Sequence, residues 1–165
     1  MEQTSPIKII STIVIILLIL VAGYFIFSKY TSPTQKDSAV SDSTDSVTNI
    51  VTVENTPMVN GALVMPEGFP NDIPFEGGQI SESATTRYPV QGAEQLSISY
   101  RSSKTVAKKY AEYKDYMRLS GYTITEGNVN SSPRAIFGTK EDANLSVVIS
   151  NAEGKTLVQL SYLVK

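Results

Sequence analysis

The alternation of apolar and polar positions divides the chain into three stretches. The first is an uncharged run, Ile9 to Phe27, apolar on every face. At 1.5 Å per residue, about 20 such residues cross about 30 Å of hydrocarbon as a helix. Lys8 and Lys29 flank the run, and Tyr24, Phe25, Phe27 and Tyr30 gather where an interfacial aromatic belt is expected. The run exceeds the apolar core of a cleaved signal peptide, and no small-x-small cleavage pattern follows it. Ile7 to Phe27 is therefore read as an uncleaved, single-pass transmembrane anchor. The second stretch, residues 31–60, is dominated by Ser, Thr and Asp up to Ser46. It buries too little surface to offset its ordering entropy and reads as a disordered tether reaching roughly 30 Å. Val47 to Val53 carries β-branched residues that suit either a strand or a piece of linker. The third stretch, 61–165, is the folded domain.

Within the domain the periodicity changes twice. Pro66-Glu67-Gly68-Phe69-Pro70-Asn71-Asp72-Ile73-Pro74-Phe75-Glu76-Gly77-Gly78 is too rich in Pro and Gly for a helix or a central strand. Phe69, Ile73 and Phe75 are the teeth by which this lead-in should grip the domain. Gln79 to Thr86 and Glu94 to Arg101 follow as strands; in the second, Leu96, Ile98 and Tyr100 alternate with Ser97, Ser99 and Arg101. A helix is predicted from about Lys104 to Ser120, capped by Ser102 or Ser103 and stopped by Gly121. Its apolar stripe is Val106, Tyr110, Tyr113 and Met117. Four further strands are predicted at Tyr122 to Glu126, Arg134 to Lys140, Leu145 to Ser150 and Thr156 to Val164, with turn-like breaks at Glu141 to Asn144 and Asn151 to Gly154. The expected fold class is α+β: a transmembrane helix plus a two-layer domain, in which an antiparallel sheet of order β-β-α-β-β-β-β packs on one helix.

Composition then removes chemistry. The 165-residue chain has net charge −2 and no Cys, His or Trp. Disulfides, thiol nucleophiles, histidine bases and the commonest transition-metal ligands are absent. From Ala62 onward, 11 basic residues balance 11 acidic ones, so nothing argues for a nucleic-acid partner. Ser102-Ser103-Lys104 lacks the spacing of a Ser-x-x-Lys nucleophile and reads as a helix cap. Glu67, Asp72 and Glu76 in the lead-in suit turn capping better than paired-carboxylate catalysis or a metal site. No catalytic, metal or cofactor residue is assigned, and no cofactor is expected. The most suggestive surface is the basic helix face of Lys104, Lys108, Lys109, Lys114 and Arg118, which suits an anionic partner.

The lead-in from Pro66 to Pro74, then Gly78-Gln79-Ile80, resembles the opening of a set of bacterial envelope domains. Those domains lie behind a lipoprotein signal or a transmembrane helix, and their helix ends in a Gly-aromatic pair, here Gly121-Tyr122. The resemblance covers about residues 65–165 and carries no functional residue, since the set has no established activity. It implies an envelope location. A short N-terminal tail before the apolar span favours a cytoplasmic N-terminus and an extracytoplasmic domain, although Lys29 and Lys36 give no clear positive-inside bias. The expected function is a non-enzymatic protein-interaction or structural module of the envelope, meeting an envelope protein or an anionic wall polymer. The alternative is a small-ligand binding or sensing domain, with a pocket between sheet and helix lined by Tyr100, Tyr113 and Tyr162.

Overall fold

A computed structural model describes residues 51–77 and 79–165. Three short strands come first: β1 (Thr52–Asn55), β2 (Met58–Val59) and β3 (Ala62–Leu63). Two long ones follow, β4 (Ile80–Tyr88) and β5 (Ala93–Ser102), and then helix α1 (Val106–Leu119). The chain closes with β6 (Thr123–Glu126), β7 (Arg134–Lys140), β8 (Ala143–Ala152) and β9 (Lys155–Val164). All but β2 and β3 join one antiparallel sheet of order β1-β4-β5-β9-β8-β7-β6, and β2 and β3 pair as a separate hairpin.

This corrects the expected fold class. The sheet has seven strands rather than six, because Thr52 to Asn55 pairs along the edge of β4, Thr52 opposite Arg87 and Asn55 opposite Ala84. The sequence left this segment open because all four of its residues are exposed. An edge strand held mainly by backbone hydrogen bonds shows little apolar alternation. The transmembrane description is corrected as well. No helix among the described residues is long and apolar enough to cross a membrane. Helix α1 carries six charged residues in its 14, starting with Lys108 and Lys109. The expected span over 7–27 lies outside the described residues. The membrane and single-pass reading therefore has no structural support and is not carried forward.

The path of the chain fixes which ends meet. After β5 the helix carries the chain across the sheet to the far edge. The meander β6-β7-β8-β9 then returns, so that β9 lands between β8 and β5. Leu96 faces Tyr162, Ile98 faces Leu160 and Tyr100 faces Val158. With Leu145, Val147, Ile149 and Ile136 they form one buried face against Tyr110, Tyr113 and Met117 of the helix. The lead-in closes this core from the side through Phe69 and Ile73. The opposite face bears Gln95, Ser99, Gln159 and Ser161. They are buried yet polar, and lateral bonds satisfy two of them: the Tyr88 hydroxyl donates to Gln95, and Ser99 donates to Glu82.

Local chemistry sets the helix limits. Thr105, rather than Ser102 or Ser103, is the N-cap, its hydroxyl accepting the Lys108 amide at 3.3 Å. Ser102 is occupied elsewhere, as described below. At the other end the Gly121 amide donates to Arg118 O and the Tyr122 amide to Met117 O. Gly121 takes the φ of +80° that this left-handed stop requires.

Close approach of helix and sheet depends on Gly138 in β7. A Cβ there would lie 2.9 Å from the Tyr122 ring and 3.1 Å from the Met117 sulfur. Gly138→Val should therefore force the helix C-terminus off the sheet and cost about 1–3 kcal/mol. Met117→Ala should open a core cavity costing about 2–5 kcal/mol. Urea midpoints of the two variants check both.

Candidate functional site

At the N-terminal end of α1, side chains from three separate pieces of chain converge on one ammonium group. Lys109 is fully buried. Its Nζ lies 3.1 Å from Glu112 Oε2 and 3.4 Å from Glu76 Oε1. It sits over the Tyr113 ring at 4.7 Å and the Tyr100 ring at 5.5 Å. These contacts are electrostatic, since none has the directional geometry of a hydrogen bond. The Tyr100 and Tyr113 hydroxyls lie 2.6 Å apart, and Tyr113 donates to Pro74 O, also at 2.6 Å. Ser102 donates to Glu76 at 2.6 Å. The lead-in from Pro74 to Glu76 is thus fastened to both the helix and β5.

The electrostatics fit a permanently charged lock. Burial pushes the Glu76 carboxyl up, but the Ser102 hydroxyl and the Lys109 ammonium outweigh it and hold the pKa below its usual value. Burial raises Glu112 too, and Lys104 and Lys109 bring it below the usual range. Burial works against the charge on Lys109, whereas Tyr100 and Glu112 lift its pKa above the ordinary lysine value. A lysine in this state is an ammonium at neutral pH and neither a base nor a nucleophile. Ser102 shows no activation either: it donates to Glu76 and accepts the Lys104 amide.

The five basic residues singled out from the helix are thus in unlike settings. Lys109 is interior, because a side chain one position after Lys108 turns toward the sheet. Lys104 pairs with Glu112 at 3.0 Å, Lys114 with Glu126 at 2.7 Å and Arg118 with Asp115 at 3.3 Å. Lys108 is exposed with no carboxylate at ion-pair distance among the described residues. Nor do Tyr100, Tyr113 and Tyr162 line one pocket. The first two fill the core with bonded hydroxyls, while Tyr162 borders a groove at the other end of the helix. Glu76 is committed to the lock, and Asp72 borders that second groove.

What the structure does assemble is a cationic groove of about 680 Å³ between the start of α1, the β8–β9 turn and the start of β7. Arg101, Lys104, Arg134 and Lys155 line it, and no acidic residue does. Arg101 donates to Ala152 O at 3.0 Å and to Glu153 at 2.8 Å. Arg134 is half-buried, and neither it nor Lys155 has a carboxylate within ion-pair distance among the described residues. The first turn of α1 contains no acidic side chain, so the positive end of the helix dipole adds to the field. Of this set only Lys104 was flagged by the helix pattern. Arg101, Arg134 and Lys155 belong to three strands, each at or next to the end of its strand. They meet because β5, β9, β8 and β7 are neighbours. Basic residues beside strand ends were a visible signal, but one that needs the strand order to be read.

The lock makes stability depend on pH from both sides. Glu76 and Glu112 titrate lower in the folded protein than the usual 4.5. They therefore stabilise it above pH 4.5, and that contribution fades as the pH falls through their depressed values. Lys109 titrates higher than the usual 10.5, so its contribution is complete below pH 10.5 and is lost as the pH rises through its elevated value. The melting temperature should plateau between these limits and fall beyond both, and Glu76→Gln should lower the plateau and flatten the acid limb. An acid limb as steep as that of the parent protein would remove Glu76 from the lock. No family model matches this chain, and no curated protein or solved structure shows significant similarity to it.

Proposed function

We propose that this chain is a non-enzymatic interaction module that holds an acidic segment of a protein partner in the cationic groove at the start of α1. The observation that carries this reading is a groove of about 680 Å³ lined by four cations and no carboxylate. Two of those cations, Arg134 and Lys155, are free of internal carboxylate partners among the described residues. An arginine held half-buried without a counter-charge carries a desolvation cost that an incoming carboxylate offsets. Its planar fork accepts a carboxylate through two parallel bonds, and the exposed lysines steer an acidic chain toward it. The filled core directs binding to the surface, since Tyr100 and Tyr113 occupy the space between sheet and helix. The side chains of the lock support the same reading, as Lys109 is held charged and takes no part in proton transfer.

Fluorescence anisotropy with a labelled Glu-rich peptide tests this. Binding should weaken steeply from low to physiological salt. Arg134→Glu combined with Lys155→Glu should weaken it at least tenfold. Lys140→Glu, at the opposite end of β7 from Arg134, should change it little. Equal affinity for the parent and the double variant would overturn the assignment of the groove. A clear preference for a phosphodiester polymer over the peptide would overturn the choice of a protein partner.

A further inference from the structure

A second groove, of about 390 Å³, lies at the opposite end of α1. The helix end contributes Tyr116, Ser120 and Tyr122. The lead-in adds Asp72, the β7–β8 turn adds Lys140 and Asp142, and β9 adds Tyr162. The volume falls within the about 300–1,000 Å³ of small-molecule sites. From the partial exposure of its three tyrosines, the presence of both charges around them and the fixed tilt of its rings, we infer that this groove is a binding site for a neutral saccharide.

The rings are held in place by other aromatic groups. Tyr116 and Tyr122 lie 6.3 Å apart at 41°, and Tyr162 packs on Phe69 at 6.4 Å and 59°. All three remain partly exposed. Rigid, half-exposed tyrosines supply apolar faces at low entropic cost together with a polar tip. The Lys140 ammonium stands 5.9 Å over the Tyr122 ring.

The polar groups around the rings select the ligand. Asp72, Glu141 and Asp142 are acceptors, Lys140 and Lys165 are donors, and the tyrosine and serine hydroxyls do both. A cationic ligand would meet Lys140 and Lys165, and an anionic one would meet Asp72, Glu141 and Asp142, so a charge of either sign faces a like charge. A purely apolar ligand would strip water from the carboxylates without replacing their hydrogen bonds. A flat aromatic ligand needs parallel walls, and two rings tilted by 41° do not provide them. A pyranose ring meets every condition: it is neutral, its hydroxyls donate and accept around the rim, and its C–H groups form a puckered apolar face. Burial, reinforced by the Asp72 carboxylate beside it, raises the Tyr116 pKa, so the ring is a neutral phenol.

This site shares no lining residue with the cationic groove and stands independently of the function proposed for it. Saturation-transfer NMR on the intact protein, with a panel of maltotriose, cellotriose, chitotriose and mannotriose at millimolar concentration, provides the test. Transfer to the ring C–H protons of at least one sugar is expected. The affinity should fall about tenfold in Tyr116→Ala, and also in Asp142→Ala, whose exposed side chain makes no contact that folding requires. Circular dichroism establishes that both variants remain folded. Arg134→Glu, in the other groove, should bind sugar like the parent. No transfer to any of the four sugars would overturn the inference. So would unchanged binding in folded Tyr116→Ala and Asp142→Ala, or tighter binding of adenosine or choline than of every sugar.

Discussion

Helix, sheet and lead-in are held in one arrangement by a single buried charge. The Lys109 ammonium has no access to water, so its place in the fold depends on Glu112 beside it and on Glu76 from the lead-in. Removing either carboxylate leaves a buried charge undercompensated, which costs more than an ordinary surface pair contributes. The constraint acts at a distance. Because Glu76 must reach Lys109 and Ser102, the lead-in crosses the start of the helix, and because Tyr113 bonds Pro74, it is pinned there. Phe69 and Ile73 are then drawn over the core edge. The sheet alone would leave that edge open.

The same arrangement explains why both grooves lie at the ends of α1. Along its length the helix is pressed onto β7 and β8, close enough that only glycine fits at position 138. Past each end of the helix the sheet continues and the turns between strands rise beside it, leaving a trough. At the N-terminal end the trough collects cations from β5, β7 and β9 beside a first helical turn that holds no acidic side chain. At the C-terminal end it collects tyrosines and groups of both charges. The two ends thus have different chemistry within one architecture: one carries an excess of positive charge, and the other offers aromatic faces among groups of both charges.

Much of the domain's local structure could be read from residue order. The alternation of Leu96, Ile98 and Tyr100, and of Val158, Leu160 and Tyr162, marks strands with one buried face, and the spacing of Tyr110, Tyr113 and Met117 marks a helix stripe. These patterns are local, set by the period of two or 3.6 at which side chains return to one face. The edge strand over 52–55 was not legible in this way, because exposed residues joined by backbone hydrogen bonds leave no periodic trace. The cap also moved, from Ser102 or Ser103 to Thr105. Ser102 had a stronger competing partner in Glu76, 26 residues earlier in the chain.

The sequence by itself determined the helix and the strands from β4 onward, the exclusion of thiol and histidine chemistry, and the apolar stripe that drives the helix onto the sheet. Only the tertiary structure decided which charges are free. Lys108 and Lys109 are adjacent and identical, yet one is exposed and the other is the centre of the core lock, because a rotation of about 100° per residue carries one outward and the other inward. Likewise Arg101, Arg134 and Lys155 come together only because β9 returns between β5 and β8. A charge's role depends on its distance to other charges and to water, and those distances are set by strand order, which no local pattern encodes.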